Sequence, residues 1–370
     1  MPIATANRDA RIAAHEKGDY CTSRGNRCHN TRIAGGELPP IVRSKDAAVS
    51  VSGRVFLRQP ARERGSRTIR ARAAAGGNSV KSPGVRLGGT IITNPTKPFW
   101  PDEGLTKLDL AQFYARIAGQ ILPWMKSRAV TMERCPEGLR KSCFYQKQAP
   151  DNLPVDVPTV TIPAPSVGRD VDYIVGGTRK TLLTLVNLGC IAMHVMNSRV
   201  DEVDKPDWLA FDLDPSDSFS SAARAALLLR AKLEDHGLEP YVKTSGGRGL
   251  HVLVPLRRGS AQDRVRAYAS AIAGEMATEH PKLVTVEARK AKRRAPVYLD
   301  IMRNASGQTI VPPFSVRWRP RAPVSMPLDW DEVSPRLDPI VFNIKTAERR
   351  MRAKSPWSSF FGHRQTLPRV

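Results

Sequence analysis

The sequence predicts a mixed α/β fold that begins near residue 90. Short apolar runs of strand length alternate there with longer segments whose apolar residues recur at helical spacing. Glycine and proline separate these segments, as they do at the ends of helices and strands. With 370 residues, of which 41% are hydrophobic, the chain is long enough to bury a sizeable core. We expect three parts: an N-terminal extension at 1–89, a folded region at 90–335 and a C-terminal tail at 336–370.

The N-terminal 89 residues are rich in Arg, Gly and Ala and show no sustained hydrophobic period. This composition predicts a basic segment of low order. The whole chain carries a net charge of +23, and the excess of Lys and Arg is shared between this segment and the rest. Such a charge predicts an acidic polymer as the partner, with nucleic acid favoured over a membrane surface.

The compartment is predicted from what the sequence lacks. No apolar run approaches the roughly 18 residues of a membrane span, and the N-terminus has no apolar core of a secretory signal. The five cysteines are scattered and form no CxxC pair. We therefore expect a cytoplasmic, nucleoid-associated protein with no membrane contact and with reduced thiols.

Four helices are predicted from their periodicity and their end signals. The first, at 106–124, starts with a Thr-x-x-Asp capping sequence, and the second, at 178–189, ends at a glycine. The third, at 218–236, is followed by a glycine. The fourth, at 260–280, has a Ser-x-x-Asp start and a proline after its end.

The predicted strands lie between these helices. Apolar runs at 190–195 and 207–213 have strand length, and "YVKTSGGRGLHVLVPL" is typical of two strands around a glycine turn. A further strand at 297–302 precedes an extended, proline-punctuated segment at 309–330.

Three aspartates stand in predicted strands where packing has no use for charge. Asp212 and Asp214 in "WLAFDLDPSD" are two residues apart, so both side chains project from one face of a strand. Asp300 lies in a second apolar strand, "VYLDIM". Carboxylates this close raise each other's pKa unless a cation lies between them, and oxygen ligands suit Mg²⁺ or Mn²⁺. The pattern indicates a two-metal site of the kind used in phosphoryl chemistry. The Asp-x-Asp pair alone also fits a surface turn or a helix cap.

A glycine-rich turn, "KTSGGRGLH", brings together side chains that suit phosphate. Lys243, Ser245, Arg248 and His251 surround it, and its exposed amides suit phosphate oxygens. We take Lys243, Ser245 and His251 as candidates for nucleotide binding. A plain hairpin turn explains the glycines equally well.

Three arginines follow along the chain. Arg317 and Arg319 are predicted to share one face of a strand, and together with Arg303 they suit a triphosphate. A solvated basic face is the alternative.

The order of these motifs resembles a known family. "DLDP", "SGGRGLH" and "DIMRNASGQT" followed by "SVR" are similar to motifs of the polymerase domain of bacterial ligase D, in the archaeo-eukaryotic primase superfamily. The stretches "TNPTKPFWPDEGLTKLDL", "CFYQKQAP" and "CIAMHVMNSR" resemble the motifs that precede them in that family. The similarity runs in unbroken order from about residue 91 to residue 333.

The resemblance implies a primase-polymerase fold, with a catalytic sheet like that of RNA-recognition motifs flanked by helices. It implies a template-dependent nucleotidyltransferase that fills gaps and extends 3′ ends at DNA double-strand breaks in non-homologous end joining. Two Mn²⁺ or Mg²⁺ ions would be the cofactors, and ribo- or deoxyribonucleoside triphosphates the substrates. Broken or gapped DNA, Ku and an ATP-dependent DNA ligase would be the partners, and the sequence contains no KxDG motif of such a ligase.

The resemblance also implies roles for single residues around the nucleotide. Asp212, Asp214 and Asp300 match catalytic metal ligands. Ser245 and His251 match contacts to the triphosphate, Arg303 and Arg319 match the basic set with Arg317 beside them, and His194 matches a histidine near the sugar.

A second group of residues matches the DNA-end contacts of the family. Asn94, Lys97 and Lys107 match the pocket that binds the 5′-phosphate of the downstream strand. The aromatic pair Phe144 and Tyr145 matches residues that stack on bases, and Lys147 lies beside that pair.

The sequence departs from the family pattern at three motifs, none of which includes the three aspartates. "RCPEG" stands for "RYPDG", "FYQKQ" for "FFQKH", and the tryptophan two residues after His194 is a methionine. A non-catalytic module that binds and bridges DNA ends, and recruits Ku and a separate ligase, is the alternative function. A primase that starts primers de novo is a third, which the match to the 5′-phosphate pocket disfavours.

Overall fold

The computed structural model describes residues 83–164 and 168–369. The predicted N-terminal extension therefore lies outside the described residues as far as position 82. The strands are β1 Val85–Leu87, β2 Thr90–Ile92, β3 Pro98–Trp100, β4 Leu105–Thr106, β5 Ala129–Arg134, β6 Phe144–Gln146, β7 Thr159–Ala164, β8 Arg169–Val175, β9 Cys190–Val195, β10 Trp208–Pro215, β11 Tyr241–Thr244, β12 Leu250–Pro255, β13 Val284–Thr285, β14 Val297–Asp300 and β15 Pro327–Leu328. The helices are α1 Lys107–Arg116, α2 Ala118–Met125, α3 Arg179–Asn187, α4 Phe219–Asp235, α5 Gln262–Glu279 and α6 Ala347–Met351.

Two larger sheets organise the described part of the chain. The first has six strands in the order β13-β14-β10-β12-β11-β15, antiparallel except for the β13–β14 pair. The second has five strands, β6-β5-β8-β7 with β9 added against β5. Helices and strands mix along the whole region, so the predicted α/β class is confirmed.

The central strand β10 shows how sequence alternation shapes the six-stranded sheet. Leu209, Phe211 and Leu213 lie in a core that α4 and α5 cover. Trp208 and Ala210 alternate with them and belong to the other large core, with α1, α2 and α3. Because successive side chains point to opposite faces, the residues that continue this second row beyond Ala210 project from the face that α4 and α5 do not cover.

The helix starts agree with the sequence prediction in three of the four cases. Thr106 caps α1 through a capping box with Asp109, and Thr178 and Ser218 are the cap residues of α3 and α4. The first predicted helix is interrupted at Ile117, which divides it into α1 and α2. The Ser-x-x-Asp start predicted for α5 is wrong, because Ala261 is the cap residue and no side chain caps that end.

The segment after residue 336 contributes to the core. Trp357 and Phe360 are buried and their rings are stacked, with centroids 5.2 Å apart. Trp357 Nε1 donates to the carbonyl of Val242 in β11, and Phe360 packs on Tyr241. The segment predicted as a C-terminal tail thus covers one end of the six-stranded sheet.

Two of the cysteines are bonded to each other. Cys135 and Cys143 form a disulfide, and Cys190 is a free, buried thiol. Arg134 in β5 pairs with Phe144 in β6. Cys135 directly follows Arg134 and Cys143 directly precedes Phe144, so this pairing brings the two cysteines together. The expectation that all cysteines are reduced is corrected for this pair. Cys21 and Cys28 lie outside the described residues.

None of the helices in residues 83–164 and 168–369 combines the length and apolar character that crossing a membrane requires.

Candidate functional site

Four polar residues form a row across the six-stranded sheet. Asp300 in β14 lies directly opposite Asp212 in β10, Asp212 lies opposite His251 in β12, and His251 lies opposite Lys243 in β11. Residues that are paired in register project from the same face of a sheet. The row therefore lies on the face of β10 that α4 and α5 leave uncovered.

An arginine bridges the two facing carboxylates. Arg303 Nε lies 3.3 Å from Asp212 Oδ2, and Arg303 Nη2 lies 3.3 Å from Asp300 Oδ2. Arg303 is held in a short 3₁₀ turn after β14, where the buried side chain of Asn304 donates to Ala210 O and accepts from Ala210 N. This turn places a guanidinium over the carboxylates.

The three aspartates have different protonation tendencies. Burial alone would raise the pKa of Asp212, but His251, Arg303 and Lys243 together lower it below its usual range. Asp214 lies two residues further along β10 at an exposed position, and partial desolvation and the charge of Asp212 raise its pKa to about 7. Burial also raises the pKa of Asp300. The raised pKa values of Asp214 and Asp300 indicate that the neighbouring cations do not fully balance the charge of three ionised carboxylates.

Lys243 lies inside the protein behind His251. Its side chain has no solvent exposure. Its ammonium donates to Ser325 Oγ at 2.6 Å and lies 2.8 Å from His251 Nδ1. Direct contact of Lys243 with a nucleotide, expected from the sequence, does not fit this burial.

The glycine turn is built around Ser245. Its Oγ accepts hydrogen bonds from the amides of Gly247 at 3.2 Å and Gly249 at 3.3 Å, and its carbonyl accepts from Arg317 Nη1 at 2.9 Å. Gly246 has a φ of 73°, and a Cβ there would lie 2.5 Å from Arg317 Cγ. Glycine is therefore required for the arginine to approach the turn.

Arg317 and Arg319 do not share a strand face, so that prediction is wrong. The amide of Arg319 donates to Arg317 O at 2.9 Å, which makes a tight turn at this point. The prolines around this segment prevent continuous strand pairing, because proline has no amide hydrogen to donate. Both arginines nevertheless reach the glycine turn, because a Cβ on Gly247 would lie 3.3 Å from Arg319 Nε.

Glu133, a buried carboxylate near the end of β5, is not among the site residues predicted from the sequence. Its carboxylate lies 3.4 Å from His194 Nε2 and 3.8 Å from Arg317 Nε, and it accepts a hydrogen bond from Tyr145 Oη at 3.0 Å. Burial alone would raise the pKa of Glu133, but His194, Arg317 and Tyr145 lower it. Asp212 is recognised as an acid in an apolar strand. The same signal is present for Glu133 in "AVTMER" and could have identified it.

The predicted 5′-phosphate residues lie near the start of α1. Asn94 is exposed with a φ of 49°, and its carbonyl accepts from the amide of Lys97. Lys97 Nζ contacts Glu137 Oε1 at 2.6 Å. Lys107 is buried, and its ammonium donates to Thr93 O, Asn187 O and Asn187 Oδ1 at 2.7–2.9 Å. Of the two lysines, Lys97 is the more accessible to a phosphate.

The predicted stacking residues lie on β6. Phe144 and Tyr145 are 47% and 61% exposed, which is unusual for aromatic rings and leaves them accessible to bases. Tyr145 also packs edge-on against His194, with ring centroids 5.3 Å apart. Lys147 Nζ donates to Gly307 O at 3.0 Å, so this strand is tied to the loop after Arg303.

Residues 106–357 match the family model for the LigD primase-polymerase domain. The chain belongs to this family. The multifunctional non-homologous end joining protein LigD of Pseudomonas aeruginosa is 29% identical over 302 residues, which cover 80% of this chain and 35% of that protein. The bifunctional LigD of Bacillus subtilis is 32% identical over 267 residues, which cover 71% of this chain and 43% of that protein. The matched part thus spans less than half the length of each of these relatives.

The solved polymerase domain of Mycobacterium tuberculosis ligase D, in complex with DNA, has a similar fold. The TM-score is 0.68 at 25% sequence identity, and the match covers 74% of this chain and 98% of that domain. The implied primase-polymerase fold is therefore confirmed.

The chemistry of this LigD primase-polymerase domain fits divalent cations at the three aspartates. Asp212 Oδ1 is buried, and its contact with His251 Nε2 at 3.3 Å falls outside hydrogen-bond geometry, so the oxygen can accept a cation. Among the described residues, no three His, Cys, Asp or Glu side chains already stand in a metal-holding arrangement. Arg303 lies against Asp212 and Asp300. An ion held by Asp212 Oδ2 and Asp300 Oδ2 would compete with the arginine for these two oxygens.

Proposed function

We propose that this chain is a template-dependent nucleotidyltransferase that extends 3′ ends and fills gaps at DNA double-strand breaks in non-homologous end joining. The observation that carries the proposal is the row of Asp300, Asp212 and His251 on the sheet face that α4 and α5 do not cover, in a member of the LigD primase-polymerase family. The names of the relatives, which refer to non-homologous end joining, support the pathway.

The residues in and around the row have different proposed roles in nucleotidyl transfer. Asp212, Asp214 and Asp300 would hold two Mg²⁺ or Mn²⁺ ions. Such ions lower the pKa of a 3′-hydroxyl and balance the charge of a triphosphate. The proposed triphosphate contacts are Ser245, Arg317 and Arg319, because both guanidinium groups lie against the glycine turn that Ser245 organises.

The sugar and the bases have separate candidate contacts. His194 is the proposed sugar neighbour, and Glu133 fixes its ring through the 3.4 Å contact at Nε2. Phe144 and Tyr145 are proposed to stack on bases of the template or downstream strand, and Asn94 and Lys97 to bind the 5′-phosphate. The exposure of both rings and of Asn94 supports these roles.

DNA is the proposed macromolecular partner. The net charge of +23 supports a salt-sensitive polyanion interaction, and the M. tuberculosis relative is in complex with DNA. Ku and a separate ATP-dependent ligase are proposed as further partners, at the nucleoid. Enhanced joining of broken ends when the purified chain is added to Ku and a ligase would test this.

Primer extension decides the enzymatic proposal. The substrate is a gapped duplex with a 5′-phosphate on the downstream strand, supplied with each nucleoside triphosphate and Mn²⁺ or Mg²⁺. Template-directed incorporation is expected with the wild-type chain and not with Asp212→Ala. Asp235→Asn, which removes an exposed acid at the end of α4, is the matched control. DNA binding without any incorporation would instead identify a non-catalytic end-binding module.

A further inference from the structure

Lys243 is the most deeply buried of the nucleotide-binding candidates, with no solvent exposure. The hydrogen-bond partners of its amine are a hydroxyl and an imidazole rather than a carboxylate. Burying an ammonium without an ionic partner costs several kcal/mol. An apolar residue would fill this place in β11 without that cost. The amine therefore has a role other than packing.

The hydrogen bonds of Ser325 fix the direction of this network. Ser325 Oγ donates its single hydrogen to Thr244 O at 2.7 Å, because a carbonyl only accepts. Toward Lys243 the same oxygen therefore accepts, at 2.6 Å. One hydrogen of Lys243 is committed to Ser325, and its amine is anchored at a defined position.

The second contact of the amine is His251 Nδ1, at 2.8 Å. The other ring nitrogen, Nε2, lies 3.3 Å from Asp212 Oδ1, and that carboxylate would repel a lone pair on Nε2. Nε2 therefore carries the hydrogen of a neutral imidazole, and Nδ1 accepts from the amine of Lys243. The Nε2 hydrogen faces Asp212, and a phosphate oxygen that enters the site would be a further acceptor for it.

We propose that Lys243 is a positioning residue that holds His251 in the tautomer with hydrogen on Nε2, so that His251 donates to a phosphate oxygen of the bound nucleotide. This role rests on the proposed function. In the other tautomer Nε2 presents a lone pair, which repels a phosphate oxygen. Lys243 acts through His251 and never touches the nucleotide, much as outer partners orient the ligands of a metal site.

Nitrogen NMR of the wild-type chain tests the tautomer directly. The chain has 7 histidines, so it is labelled with ¹⁵N-histidine and His251 is assigned from the signal that His251→Gln removes. An unprotonated Nδ1 and a protonated Nε2 are expected at neutral pH. A protonated Nδ1 would overturn the inference, whatever the activity of the chain.

Lys243→Met, which keeps the length of the side chain and removes the donor, tests the consequence. We expect a mixture of His251 tautomers and a kcat/KM for the nucleotide about 10- to 100-fold lower. Thr244→Val is the matched control, because Thr244 is equally buried in β11 and its hydroxyl bonds the backbone of Val324 and Met326, away from His251. Equal effects of the two substitutions on kcat/KM, with His251 unchanged, would identify Lys243 as merely structural.

A double substitution shows whether Lys243 acts through His251. Lys243→Met added to His251→Gln is expected to cost no further activity, and independent, multiplicative losses would overturn the inference. If the wild-type chain incorporates no nucleotide while His251 has the expected tautomer, the proposed function fails and the hydrogen-bond arrangement is upheld. The two failures are thus distinguishable.

Discussion

Asp212 and Asp300 face each other in register across β10 and β14, and one guanidinium, that of Arg303, contacts both carboxylates at 3.3 Å. The arginine comes from the turn that ends β14, so the strand that supplies the second aspartate also supplies the cation beside it. This arrangement keeps a dense negative cluster folded while no other cation is bound.

Asp212→Asn should abolish nucleotide incorporation while leaving the fold intact. The substitution keeps the size of the side chain and removes the charge that faces His251, Asp300 and Arg303. We expect incorporation to fall at least about 100-fold, since an isolated amide cannot replace a carboxylate toward a divalent ion. Primer extension with Mn²⁺ measures it, and affinity for gapped DNA at fixed salt should change little. Incorporation within a few-fold of wild type would refute the role of Asp212.

Lys97 and Lys107 should respond differently to substitution, although the sequence predicts one role for both. Lys97→Ala is expected to reduce the preference for 5′-phosphorylated over unphosphorylated gaps, because its ammonium is partly exposed beside Glu137. Lys107→Met is expected to lower the free energy of unfolding by about 1–3 kcal/mol, because it takes away the ammonium that donates to Thr93 O and Asn187 O.

Binding to the two kinds of gap and urea unfolding, each on both variants, separate these effects. If Lys97→Ala weakened binding to phosphorylated and unphosphorylated gaps equally, the phosphate assignment would fail. If Lys107→Met left the midpoint of unfolding unchanged, the hydrogen bonds of the Lys107 ammonium would not contribute to the stability of the fold.

Reduction of the Cys135–Cys143 disulfide should destabilise the chain by about 2–3 kcal/mol, the loss expected when a loop of this length is opened. Urea unfolding with and without reductant measures this loss. Cys143→Ser should match the reduced wild type and respond no further to reductant. A reductant effect that persists in Cys143→Ser would show that another thiol is responsible.

The pH dependence of stability should contain a contribution from Asp214 and Asp300. Partial desolvation and the charge of Asp212 raise the pKa of Asp214 to about 7, and burial raises that of Asp300. In the unfolded chain an aspartate loses its proton near pH 4. Between about pH 4 and pH 7 the folded state therefore holds more protons, so this contribution is present at low pH and is lost as the pH rises.

Unfolding in urea at about pH 5 and pH 7, without divalent ions, tests this contribution. Asp214→Asn should flatten the difference between the two conditions. Because Asp214 is exposed and solvent screens its charge, we expect a change on the order of 1 kcal/mol. An identical difference in wild type and variant would show that Asp214 ionises in the folded chain as it does in the unfolded chain.

Local spacing in the sequence was enough to predict much of this protein. The period of two put Asp212 and Asp214 on one face of β10, and the capping sequence placed the start of α1 at Thr106. Periodicity and glycine signals located α3 and α4 within a residue or two. These features depend on neighbours in the chain, which is why a sequence reveals them.

Tertiary structure alone decided which distant residues meet. The sequence suggested that Asp300 and Asp212 lie on neighbouring strands, but only pairing across β14, β10, β12 and β11 sets them in one row with His251 and Lys243. The burial of Lys243 and the convergence of His194 and Arg317 on Glu133 likewise depend on contacts between elements far apart in the chain. Strand register and burial follow from the packing of the whole fold, and no local pattern contains them.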